Sequence, residues 1–388
     1  MLKKFKLRNY KNFKDTLVFN FDKVGGYQFN SECISNNIIG KSIIYGRNAT
    51  GKTNLGVALM DIKLILGVVQ LPVSDSIMLN ADSNEVTAEF SYEFEFGGVD
   101  IIYEYSRKVN YDLVSESLNL NGESVFRLDY DKMKFEEKNL ALIGAESLQL
   151  DKYMELLNHD FTELDNNNTA QVPFLRFILN NSAILPGNPV KALETFVMGM
   201  RFIGVNSQIS ITRSQSQLFS KFIDFLSVSD NNLMDFQEFL NIMGVKCELS
   251  VRKLPDDTNE LYFNHGKALP FWKTASSGTR ALTNMYYKFI FFKQKVPFVF
   301  LDEFDAFFHY EMAENLVKYF KMYCGESQIV MTTHNTNLMN NHLMRPDCLF
   351  ILSLSGKLTA LCDATSRELR EGHNLEKLYI GGEFEAYE

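Results

Sequence analysis

Gly46-Arg47-Asn48-Ala49-Thr50-Gly51-Lys52-Thr53 fits the spacing GxxxxGK[ST] at every fixed position. That pattern is suited to holding phosphate. Its glycines let the backbone wrap close to an anion, and the loop N–H groups and the following helix N-terminus present positive partial charge to it. In such a loop Lys52 reaches the β- and γ-phosphates and the Thr53 hydroxyl is a ligand for Mg²⁺. A second candidate lies far downstream, where the apolar run Pro297-Phe298-Val299-Phe300-Leu301 ends in Asp302-Glu303. Carboxylates at the end of a buried strand are costly unless they are used or paired. Beside a phosphate loop, Asp302 would hold Mg²⁺ and Glu303 would polarise an attacking water. A third is His334, which follows another buried-type strand and is placed to contact a γ-phosphate. A fourth is Ser276-Ser277-Gly278-Thr279, at the start of a helix. Serine there is a good N-cap, and a Ser-Gly pair at a helix N-terminus also suits an anionic oxygen.

The elements that must position these residues follow from apolar periodicity. Lys41–Tyr45 is a short apolar run between Gly40 and Gly46, a buried strand feeding the loop. Thr53 to Val69 carries apolar residues at helical spacing. The first 20 residues read as two strands around a turn at Asn9–Lys14. Val86 to Asp129 alternates apolar and polar residues around Gly97-Gly98, as an antiparallel meander with one face in water does. From about Lys132 to Asn241 the pattern is mostly helical, with Asn-rich breaks at Asp165–Asn168 and Asn180–Asn181. Cys247 to Phe263 alternates again. Val296–Leu301 and Ser327–Thr332 are fully buried strand types, the first bracketed by helices over Thr279–Lys295 and Tyr310–Cys324. Strands alternating with helices imply an α/β fold with a largely parallel sheet. No internal repeat and no low-complexity linker is present.

At 388 residues the chain can bury a sizeable core and bounds two to three domains. Its net charge of −9 argues against a dedicated nucleic-acid coat, without excluding a local basic groove. Five scattered cysteines (Cys33, Cys247, Cys324, Cys348, Cys362) without CxxC spacing suggest neither a disulfide framework nor a zinc site, and fit a reducing compartment. The N-terminus lacks a signal-peptide core and no run of 18 apolar residues exists, so a soluble cytoplasmic protein is expected, with no membrane contact.

Taken together, the motifs resemble the ATP-binding-cassette ATPases of the SMC, RecF and OLD type, and within them the stand-alone ATPase subunits of bacterial abortive-infection and anti-phage operons, such as RloA-like proteins. Four stretches besides the phosphate loop carry the resemblance: Asn9-Tyr10-Lys11-Asn12-Phe13; Asp302-Glu303-Phe304-Asp305-Ala306-Phe307-Phe308-His309; Thr332-Thr333-His334-Asn335-Thr336-Asn337-Leu338-Met339; and Asn374 to Gly382. Two departures stand out. The family tail usually continues Gly-Arg-Phe-Gly, where this chain has Gly-Gly-Glu-Phe. The stretch between Thr53 and Asp302 lacks the sustained heptads of an SMC coiled coil.

The resemblance implies an ABC-type ATPase head, a phosphate-loop NTPase with a mixed sheet and an antiparallel meander, plus a helical insertion. Its expected divisions are an N-terminal lobe over 1–131, a helical insertion or lid over 132–245 and a C-terminal lobe over 246–388. It implies ATP and Mg²⁺ as ligands. Lys11, Gly46, Asn48, Gly51, Lys52 and Thr53 would lie at the nucleotide, with Thr53 and Asp302 on the metal. Glu303 would activate water and His334 would contact the γ-phosphate. Ser277 and Gly278 would act across a dimer interface, and Asp305 would help couple the two sites. A Q-loop glutamine is also implied, with Gln149, Gln171 and Gln208 as equal candidates. After His334 the chain is too short for the Toprim nuclease of OLD proteins. The expectation is therefore an ATP-hydrolysing sensor or regulatory subunit. It would form a homodimer or higher oligomer through ATP and control a separate effector, such as a Toprim-type nuclease. The alternative is a RecF-like DNA-binding ATPase using dispersed basic residues (Lys3, Lys4, Lys6, Arg201, Arg213, Lys221, Arg252, Lys253). A transporter ATPase ranks last.

Overall fold

The computed structural model describes residues 1–67, 79–109, 112–158, 171–204, 213–291 and 296–388. Gln208, the Asn-rich break at 165–168 and the expected helix ends at Val69 and Lys295 lie outside the described residues. Eighteen strands are described: β1 (Leu2–Arg8), β2 (Leu17–Asn20), β3 (Ile34–Ser35), β4 (Ile38–Ile39), β5 (Lys41–Tyr45), β6 (Ala88–Phe96), β7 (Val99–Arg107), β8 (Leu113–Leu120), β9 (Glu123–Asp129), β10 (Lys134–Lys138), β11 (Arg201–Ile203), β12 (Leu249–Lys253), β13 (Asn259–His265), β14 (Lys267–Pro270), β15 (Phe298–Leu301), β16 (Gln328–Thr333), β17 (Leu349–Leu352) and β18 (Leu358–Ala360).

Two sheets dominate. The central one has the order β11-β15-β16-β5-β17-β18 and is parallel except for its last pair. Strands β5, β15, β16 and β17 are buried along their whole length, as strands covered on both faces must be; β15 and β17 are unbroken apolar runs, while β5 and β16 also bury Lys41, Ser42, Gln328, Thr332 and Thr333. The second sheet is antiparallel, in the order β10-β9-β8-β7-β6-β1-β2. On β1, Leu2, Phe5 and Leu7 are buried, while Lys3, Lys4 and Lys6 keep partial contact with solvent.

The helix after the phosphate loop is clamped between the two sheets. On one side Gly56 faces Phe300 and Phe202 of the central sheet so closely that an added Cβ would come within 2.4 Å of the Phe300 ring. On the other side the Tyr92 hydroxyl donates to Ala58 O at 2.9 Å. The expected single helix over Thr53 to Val69 is two segments, Lys52–Leu59 and Asp61–Leu66, separated at Met60. Asp61, at the break, is buried in an ion pair with Arg107 of β7 and accepts from Tyr105 Oη at 2.7 Å.

Two strands fall inside the segment 132–245 that the sequence reads as helical: β10 extends the meander sheet, and β11 is the edge of the central sheet, parallel to β15. The helices of this segment dock by polar and aromatic contacts. The buried Glu116 carboxylate accepts from Phe174 N (2.7 Å), Leu175 N (2.9 Å) and Tyr103 Oη (2.8 Å), and also from Tyr130 Oη, which fixes the helix Phe174–Asn181 to the meander. The small sheet β12-β13-β14 lies against the helices Arg213–Val228 and Asp230–Ile242, with Leu249 N donating to Gln237 Oε1 at 2.8 Å. Phe239 packs edge-on against Tyr319 of the helix Tyr310–Tyr323.

Candidate active site

The sheet order explains how distant motifs meet. β16 stands between β15 and β5, all three parallel, so the residues at their carboxyl ends share one edge of the sheet. Those residues are Asp302-Glu303 after β15, His334 after β16 and Gly46–Thr53 after β5. This is the edge where ligands of open α/β sheets bind.

The loop has the backbone its sequence requires. Gly51 sits at φ +101°, a conformation side chains avoid, and an added Cβ there would also press on Asn12 at 3.1 Å. Ala49 is left-handed as well, at φ +66°. Lys52 is buried, its Nζ donating to Gly46 O (2.6 Å) and Arg47 O (3.0 Å) across the loop. Burial draws the Lys52 ammonium down from its usual range, and the Glu303 and Asp302 carboxylates partly offset this. Asn12, in the Asn9–Lys14 turn, donates to Ala49 O at 3.4 Å and accepts from Asn54 Nδ2. This turn therefore braces the phosphate loop. Within it, Lys11 lies at φ +46° with its Nζ over the Tyr10 ring, and its carbonyl accepts from Asn80 Nδ2.

The Asp302 carboxylate ties the three strand ends together. It accepts from Thr53 Oγ1 at 2.7 Å on one oxygen and from Thr332 Oγ1 at 2.9 Å on the other. Glu303 follows at φ +45°, strained for a residue with a side chain, and its N–H donates to Thr332 Oγ1 at 2.8 Å. The turn thus leaves the core at Glu303, whose side chain is half-buried while Asp302 is buried. His334 is exposed at the same edge. Thr333, just before it, donates to Asp305 Oδ2 at 2.9 Å. Asp305, given a coupling role by resemblance, is buried and bonded within its own chain.

The Ser-Gly turn lies beside this segment. Ser276 Oγ accepts from Thr279 N at 3.1 Å as an N-cap, Ser277 is exposed, and a Cβ on Gly278 would meet Phe307 O at 3.1 Å. Asn48 is exposed on the loop. Of the Q-loop candidates, Gln171 accepts from Leu113 N and Gln149 is exposed.

Several contacts were not read from the sequence. The Thr332 and Thr333 hydroxyls could have been suspected, since two buried hydroxyls ending a strand need partners. Arg47, on the loop, pairs with Glu388 at 2.5 Å, and no local pattern joins residues 341 apart. The basic residues considered for DNA are largely engaged: Lys3 with Asp100, Lys4 and Lys6 with Glu93, Lys253 with Asp257, and Arg201 with the carbonyls of Met198 and Met200. The side chain of Arg213 lies outside the described residues.

The donor set fits a magnesium nucleotide. A hydroxyl and a carboxylate, Thr53 and Asp302, already lie within 2.7 Å of each other, and hard oxygen donors of this kind suit Mg²⁺. Among the described residues no helix is long and apolar enough to cross a membrane.

A protein family described as "AAA domain, putative AbiEii toxin, Type IV TA system" matches residues 190–340, the stretch holding the Ser-Gly turn, Asp302-Glu303 and His334. No curated protein matches the chain. Among solved structures it is similar to the SMC head domain from Thermotoga maritima, at 17% identity and a TM-score of 0.44 over 90% of this chain and 94% of that one. It is also similar to the Smc head domain derived from Pyrococcus furiosus, bound there to the C-terminal domain of ScpA, at 15% identity and a TM-score of 0.46 over 93% and 96%. The phosphate loop, the carboxylate strand end beside it and the order of the parallel strands are those of a phosphate-loop nucleotide-binding fold, and the AAA-domain match covers the part of it from residue 190 to 340.

Proposed function

We propose that the chain binds and hydrolyses Mg-ATP at this edge and that closure of two copies around nucleotide regulates a separate effector. The observation that carries the catalytic part is the Asp302 carboxylate held between Thr53 and Thr332, with Glu303 turned out beyond it. Lys52 and the loop N–H groups hold the phosphates. When bound, Mg²⁺ neutralises phosphate charge, and Thr53 and Asp302 are the residues to hold it. Glu303 is the general base that orients and deprotonates water, and His334 contacts the γ-phosphate. Exposed Ser277 at its helix N-terminus is available to a second copy. The regulatory part is supported by the family description, which names a toxin–antitoxin system, and by the resemblance to anti-phage ATPase subunits. The effector is a separate protein such as a nuclease, in a cytoplasmic setting. The pairing of the basic residues weighs against the DNA-clamping reading.

The test is ATP hydrolysis together with mass by light scattering, for wild type and Glu303→Gln, with and without Mg-ATP. Hydrolysis by wild type, and its loss with trapping of a dimer or larger assembly in the variant, are the expected results. Hydrolysis undiminished in Glu303→Gln removes the general-base assignment. ATP bound without any change in mass removes the sandwich.

A further inference from the structure

Two consecutive threonines end β16, and each serves a different carboxylate. Thr332 holds Asp302, and Thr333 holds Asp305 through one oxygen, Oδ2. Thr333 Oγ1 also accepts from Asn335 N at 2.9 Å, so His334 lies between two residues fixed by the same hydroxyl. The other Asp305 oxygen, Oδ1, is buried and meets no hydrogen-bond donor among the described residues. The Tyr45 hydroxyl is likewise buried and without a partner among them. Tyr45 is the last residue of β5, directly before Gly46, and its side chain is 1% exposed. In the parallel register Tyr45 pairs with Thr333, which puts both side chains on one face of the sheet and Tyr45 beside the carboxylate that Thr333 holds. Burial first, then the Asp305 carboxylate, pushes the Tyr45 phenol well above its ordinary range, so it remains a donor at any working pH.

A buried acceptor lacking a donor and a buried donor lacking an acceptor each carry an uncompensated desolvation cost, and one hydrogen bond removes both. We infer that Tyr45 is a positioning residue for His334: in the nucleotide-bound site its hydroxyl donates to the second Asp305 oxygen, and the chain Tyr45–Asp305–Thr333 links the root of the phosphate loop to His334. The inference rests on the ATPase reading above. Phosphate draws on the loop that begins one residue after Tyr45, and the bond forms only where it is favoured in that state over the free one.

The test compares Tyr45→Phe, Thr333→Ser, Thr333→Val and the Tyr45→Phe/Thr333→Val double variant by kcat, KM, ATP Kd and nucleotide-free Tm. Tyr45→Phe deletes a hydroxyl that has no partner among the described residues. Its Tm is therefore unchanged or raised, and its ATP Kd rises about two- to ten-fold, the worth of one hydrogen bond made only in the bound state, while kcat falls about ten-fold, a loss typical of mispositioning. Thr333→Ser keeps the hydroxyl and retains most of the activity. The double variant falls no further than Thr333→Val, because the two act in one chain. Wild-type kcat in Tyr45→Phe overturns the inference. A lowered nucleotide-free Tm in Tyr45→Phe also overturns it, since the hydroxyl is then already bonded in the resting protein. Should wild type bind ATP without hydrolysing it, the ATPase reading fails separately. The inference is then decided by ATP-driven assembly, which Tyr45→Phe weakens if the chain exists and leaves intact if it does not.

Discussion

Replacing Arg107 by Met tests how the phosphate-loop helix is fastened to the meander. Arg107 and Asp61 form an ion pair with side chains only 1% and 3% exposed. Asp61 lies at the start of the second helical segment after the loop and also accepts from Tyr105 Oη. Methionine keeps much of the apolar stem but removes the charge and with it the guanidinium that lies over the Phe90 ring. An uncompensated buried carboxylate costs about 3–5 kcal/mol, so this is the expected loss in urea unfolding at pH 8. The pH dependence has a definite sign. Burial raises the Asp61 carboxyl above its ordinary value, while Arg107 and then Tyr105 pull it back. A carboxyl raised in the folded state favours folding while protonated, and that advantage is lost as pH climbs through its folded value. Without Arg107 the folded value rises further, so the variant's deficit is smaller at pH 5 than at pH 8. Adding Asp61→Asn recovers at least half of the loss at pH 8. A deficit below about 1 kcal/mol at pH 8, or the same deficit at both pH values, would refute the reasoning.

Three further outcomes are expected. Lys52→Ala weakens ATP binding by calorimetry about 100-fold, the equivalent of one or two charge-assisted hydrogen bonds, yet barely moves the nucleotide-free Tm, because the present partners of Lys52 are carbonyls of its own loop. Gly56→Ala destabilises by about 1–3 kcal/mol in chemical denaturation, since its methyl must displace Phe300 or Phe202 in a packed layer. Glu388→Gln costs less than about 1 kcal/mol, because Arg47 is 65% exposed. It removes a negative charge beside the phosphate loop, so ATP affinity rises about two-fold at low salt, and the gain fades at high salt.

The candidate site was legible in the sequence because its residues are written in local patterns. Eight consecutive residues specify the phosphate loop, an apolar run stopped by Asp302-Glu303 marks the acidic strand end, and another run stopped by His334 marks the third strand. The meander was equally plain, since a sheet with one wet face alternates at every second residue. Short elements were harder. Arg201–Ile203 is three residues long, too short to show a period, so its membership of the central sheet was hidden within a helical stretch. The tertiary structure alone decided which strand ends are neighbours. With β16 between β15 and β5, Thr332 could reach Asp302, Thr333 could reach Asp305, and Tyr45 came to stand beside them. It also brought Glu388 to Arg47. Local pattern reports what each backbone segment can become. Which segments then lie edge to edge depends on how their buried faces pack, and residues hundreds of positions apart carry no mark of that in their own surroundings.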